Sequence, residues 1–85
     1  MKNVLKDAIK LNEKYRLICM DLDQVKNEDD VIFQVECEID CITFDNNDYL
    51  LQKLEDEGKT EKQIDRMKET ALKHLYAFLS KYSKA

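Results

Sequence analysis

Two aspartates, three cysteines and the single histidine are the side chains whose type and spacing could do chemistry in this sequence. In ICMDLDQV, residues 18–25, Asp21 and Asp23 stand two apart behind an apolar run. Such a pair can transfer phosphate, one carboxylate attacking phosphorus while the next protonates the leaving group. No threonine follows the pair, no alternating βαβ pattern surrounds it, and the chain is too short to add a Mg²⁺ site. Asp21 and Asp23 therefore read as solvated acids beside a turn.

Cys19, Cys37, Cys41 and His74 are groups that zinc accepts, but zinc holds its ligands tetrahedrally, mostly from short C-x-x-C knuckles. Three residues separate Cys37 from Cys41, and in an extended strand that sets the thiols about 13 Å apart, too far to share one ion. On a helix they would be adjacent. The strand reading developed below makes Cys37 and Cys41 core fillers. His74 lies at the edge of an apolar helical stripe, where a partly buried structural role is the simpler account. One histidine without a nucleophile motif gives a catalytic triad no footing. Asp45-Asn46-Asn47-Asp48 has Tyr49 where a third calcium ligand would stand and no glycine after it, so capping explains the stretch better. There is no glycine-rich phosphate loop. The expectation is a protein that is not an enzyme and needs no cofactor or metal.

Charge is the more informative signal. The net charge of −4 hides a strong segregation. Residues 1–20 carry +3, residues 21–57 carry thirteen acids against two bases, and residues 58–85 carry +4. The acidic belt comprises Asp21, Asp23, Glu28, Asp29, Asp30, Glu36, Glu38 and Asp40. A field of that sign steers encounters with basic surfaces and favours particular partners. The expected function is a small acidic protein-interaction module. Its concrete form is an inhibitor that occupies the basic, nucleic-acid-binding surface of a partner protein. In size and charge the chain is similar to small acidic phage proteins that disarm host defence, some anti-CRISPR proteins among them. Direct contact with nucleic acid is not expected: Lys62, Arg66, Lys73 and Lys81 are interleaved with Glu61, Asp65 and Glu69, as on a solvated helix face.

Eighty-five residues make a single small domain, 1–85, which buries only about 60–65% of its unfolded surface. At that size a deep cleft is hard to build, and a homodimer would add stability. No apolar run approaches the roughly 20 residues of a membrane span. MKNVLKDAIK lacks a signal-peptide core, and three cysteines without one read as free thiols in a cytoplasmic protein.

The elements that must position the belt follow from periodicity. Within VIFQVECEIDCITF, residues 31–44, Phe33, Val35, Cys37, Ile39 and Cys41 alternate with Gln34, Glu36, Glu38 and Asp40. A period of two predicts a half-buried strand with its carboxylates turned to water. Ile32, Val35, Ile39 and Ile42 also fit helical spacing. A lone strand leaves backbone groups unpaired, so a second strand is expected over 15–24, with Ile18, Met20 and Leu22 inward and Lys26–Asp30 as the hairpin loop. A helix over 3–13, capped by Asn3, precedes the hairpin. A helix over 48–57 follows it, capped by Asp45, Asn46 or Asn47 and closed by Gly58. Thr60 and Gln63 form a capping box for a last helix over 61–83, with Ile64, Met67, Ala71, Leu75, Phe78, Leu79 and Tyr82 as its stripe. Lys73, Lys81 and Lys84 complement the C-terminal dipole of that helix.

The expected class is α+β: helix, two-stranded antiparallel hairpin, then two helices. The alternative is an all-α bundle with a long first helix running to about residue 26. A strand, a short helix, Gly58 and a longer helix also resemble, over residues 35–83, the ribbon-helix-helix repressors. That resemblance implies a homodimeric transcriptional regulator or antitoxin with a ribbon in the major groove. The outward residues of such a ribbon would be Gln34, Glu36, Glu38 and Asp40, which phosphates repel.

Overall fold

Asn27 decides the middle of the chain. Its side chain accepts a hydrogen bond from the backbone N–H of Asp30 at 2.9 Å, and Glu28, Asp29 and Asp30 fill the first helical turn behind it. An N-cap followed by three acids matches the positive end of a helix dipole. The segment expected to be a hairpin loop is thus a helix start. In the computed structural model, which describes residues 2–44 and 47–82, the chain forms α1 (Lys2–Lys14), α2 (Glu28–Thr43), α3 (Asp48–Asp56) and α4 (Glu61–Tyr82). No strand occurs among the described residues. The expected α+β fold is therefore overturned, and with it the ribbon of the ribbon-helix-helix resemblance, whose residues lie within α2.

The cause lies in the spacing of the apolar residues. Val31, Val35, Ile39 and Ile42 are buried on one stripe of α2, spaced four, four and three. That stripe packs on Val4 and Ala8 of α1 and on Ala71, Leu75 and Phe78 of α4. β-branched residues cost a helix only tenths of a kcal/mol each, while each buried Val or Ile contributes roughly 1.5–3 kcal/mol. Packing on two neighbouring helices outweighs the local preference for a strand. A helix also satisfies its own backbone, so α2 needs no partner strand.

The all-α alternative fails in its detail, because α1 stops at Lys14 and residues 15–27 form an irregular connector. The connector alternates as a strand would. Leu17 enters a small cluster with Leu54 and Ile64, under α3, while Ile18 and Met20 enter the main core. The burial pattern belongs to irregular chain, with no helix over residues 15–27. The expected inward set Ile18, Met20 and Leu22 is thus largely right in burial and wrong in pairing. Asn3 lies within α1 and does not cap it.

The C-terminal half follows the sequence closely. Gly58 takes a φ of +90°, its N–H bonds Glu55 O at 2.9 Å, and Lys59 N–H bonds Leu54 O at 3.1 Å. This double closure ends α3 and requires the left-handed conformation that glycine adopts freely. Thr60 and Gln63 exchange their capping-box bonds at 2.9 and 3.2 Å. Asn47 sits at the N-cap of α3, but its amide donates to Leu17 O at 3.2 Å instead of capping. Asp45, Asn46 and Lys84, named above, and residue 83, the expected end of the last helix, lie outside the described residues. No described helix is long and apolar enough to cross a membrane.

α1, α2 and α4 each pack on the other two. They form a triangular bundle, and α4, at 1.5 Å per residue, runs about 33 Å along the long axis. The short α3 closes one end against α4.

Candidate partner-binding face

α2 contains six carboxylates and no base. A helix at 100° per residue sorts them by face. Asp29, Glu36 and Asp40 fall within about 40° of each other on the side away from the core, and all three are exposed. Phe33 lies one turn after Asp29, at the edge of this sector, and is 61% exposed. Phe44, 68% exposed, continues the line past the last turn. Among the described residues no ion pair engages Asp29, Glu36 or Asp40. The line from Asp29 to Asp40 is about 16 Å long at helical rise, comparable to five base-pair steps of duplex DNA.

This face keeps only Glu36 and Asp40 of the expected outward set Gln34, Glu36, Glu38 and Asp40. Glu38, expected on the wet side, is buried at 5% exposure. Phe33, expected in the core, is outside. Both exchanges follow from replacing a period of two by one of 3.6. Helical spacing of four, three and four through Asp29, Phe33, Glu36 and Asp40 was the signal that could have found the face. Of the remaining belt residues, Glu28 is exposed at the start of α2, whereas Asp30 is spent on structure, accepting Lys26 N–H at 3.0 Å. Asp21 accepts from Asp23 N–H at 3.3 Å, and both belong to the connector, away from the outer face of α2. The belt is therefore not one surface.

Buried Glu38 holds the connector. Its Oε1 accepts the N–H of Cys19 at 2.7 Å, and Gln34, one turn earlier, accepts the N–H of Asp21 at 3.2 Å. Two residues of extended chain span about 6.6 Å and four of helix about 6 Å. The side chains of α2 thus stand in for a neighbouring strand. Desolvation pushes the Glu38 carboxyl above its ordinary value, against the opposing pull of the Cys19 N–H.

The groups singled out for chemistry are placed differently. Cys37 and Cys41 lie one turn apart on α2, half-buried, and Cys19 is exposed. Burial, then the charges of Glu38 and other neighbours, pushes the Cys41 thiol up, which lowers its reactivity. Among the described residues no three His, Cys, Asp or Glu side chains are arranged to hold a metal ion. His74 has the expected structural role: its Nδ1 meets Tyr15 Oη and Thr70 O, the latter at 3.0 Å, and its ring stacks on Tyr15 at 5.3 Å.

Fold and face together define a small helical bundle whose acidic helix presents carboxylates and an aromatic outward. No protein-family model matches this chain, and neither curated proteins nor solved structures give a match.

Proposed function

We propose that the chain is a protein-interaction module that lays the outer face of α2 onto a basic, nucleic-acid-binding surface of a partner protein and so blocks it. The observation that carries this reading is the line Asp29, Phe33, Glu36 and Asp40, whose carboxylates no base among the described residues pairs. Carboxylates give steering and choice of partner. An exposed aromatic beside them supplies the anchor on which interface energy concentrates.

Two charges of this face, Glu36 and Asp40, work against the helix that bears them. Glu36 and Asp40 are like-charged at i and i+4, which costs a few tenths of a kcal/mol. Asp40 lies in the last turn of α2, where no base answers the negative dipole end. Local rules broken without local gain mark functional surfaces. Affinity capture on immobilised protein, followed by elution with duplex DNA, tests the proposal. Displacement of a captured basic protein by DNA is the expected result. A captured protein that binds DNA and this chain simultaneously would contradict it.

A further inference from the structure

The two basic ends of the sequence meet in the fold. α1 and α4 pack side by side, and the groove along their outer seam lies opposite α2 in the triangular bundle. At the end where the connector leaves α1, a cavity of about 520 Å³ is lined by nine residues, four of them cations and none an acid. The cations are Lys14, Arg16, Lys59 and Arg66. Glu57 pairs with both terminal nitrogens of Arg16, so Arg16 is already occupied. Among the described residues Lys14, Lys59 and Arg66 have no ion pair. The rest of the lining includes Tyr15, the buried Leu17 and the half-buried Met67.

We propose that this cavity binds a small phosphorylated ligand of the nucleoside phosphate class. Its volume falls within the range of small-molecule sites. Arg66 offers a planar fork suited to phosphate oxygens, and Lys14 and Lys59 add point charges. The side-chain NH₂ of Gln63 remains a donor, since only its oxygen is used in the capping box. The half-buried Met67 and the edge of the Tyr15 ring, whose face stacks on His74, give an apolar body somewhere to lie. A duplex or a protein would need a longer contact than this cavity provides.

The experiment is an amide-resolved NMR titration of the full chain with ADP, with pyrophosphate and adenosine as part-ligands. The expected result is saturable binding of ADP, with shifts confined to residues 14–17 and 59–70. Pyrophosphate should bind more weakly at the same residues, and adenosine more weakly still. Arg66→Glu and, separately, Lys59→Glu should each weaken ADP binding by about tenfold, while Glu36→Lys on the opposite face leaves it unchanged. Both altered residues are exposed, and unchanged circular dichroism establishes that each variant folds. Shifts spread over every lysine, equal binding by pyrophosphate and ADP, or a single-stranded oligonucleotide binding more tightly than ADP would each overturn the proposal.

Discussion

Glu38 of α2 accepts the backbone N–H of Cys19 at 2.7 Å, and together with Gln34, which accepts the N–H of Asp21, it ties the acidic helix to the connector. It also removes Glu38 from any docking surface. Reversing it to lysine together with Glu36 and Asp40 would bury a cation beside an N–H donor and damage the fold.

The buried carboxyl gives a pH dependence of defined sign. Its folded pKa is raised above the ordinary 4.5, so its favourable contribution is complete below that value and is lost as pH rises through the folded one. Glu38→Gln keeps an acceptor for Cys19 without the charge. Unfolding by urea at pH 4 and pH 8 should show the variant gaining on the wild type as pH rises. A variant that loses ground to the wild type as pH rises would refute this placement of Glu38.

Asp7 has the opposite sign. The hydroxyl of Tyr82 and the ammonium of Lys81, both on α4, hold its carboxyl below the ordinary 3.8. Its contribution is present above that value and is lost as pH falls through the folded one. Asp7→Asn should therefore lower the melting temperature at pH 7 and converge with the wild type in acid. A constant difference across pH would mean that charge plays no part in joining α1 to α4.

Gly58 isolates a backbone effect. A Cβ there meets nothing within 4 Å, so only the φ of +90° resists a side chain. Gly58→Ala should cost about 1–2 kcal/mol in denaturant unfolding, and Gly58→Asn less. Leu75 is fully buried where α4 meets the main core, and Leu75→Ala should cost about 2–5 kcal/mol.

The end of α2 separates stability from binding. Asp40→Lys removes a like-charge pair with Glu36, creates a favourable Glu–Lys pair at i and i+4, and answers the C-terminal dipole. The variant should be more stable by about 0.5–1 kcal/mol and bind its partner less well. Destabilisation would show that Asp40 serves the fold.

Sequence and structure agree where local chemistry is sufficient. Thr60 with Gln63, Gly58 and the stripe from Ile64 to Tyr82 set α3 and α4 without reference to the rest of the chain. They part at α2, because Val35 and Ile39 belong to both an alternating and a helical pattern. The distinguishing residues were Asn27 and the three acids after it, which mark a helix start and not a loop. The burial of Glu38 could not be read locally, since it answers an N–H of the connector nineteen residues earlier, brought to it only by the packing of α1 on α2. For the same reason the acidic face was visible as composition and not as a line of named residues.

The central claim is that Asp29, Phe33, Glu36 and Asp40 meet a basic partner. The most direct measurement compares capture from the native host on the wild type, on Phe33→Ala, and on a triple variant with Asp29, Glu36 and Asp40 changed to lysine. Helicity measured by circular dichroism should be the same for all three. The wild type should retain a nucleic-acid-binding protein which DNA releases, Phe33→Ala should retain markedly less of it, and the triple variant should retain none. Equal retention on all three proteins would contradict the claim.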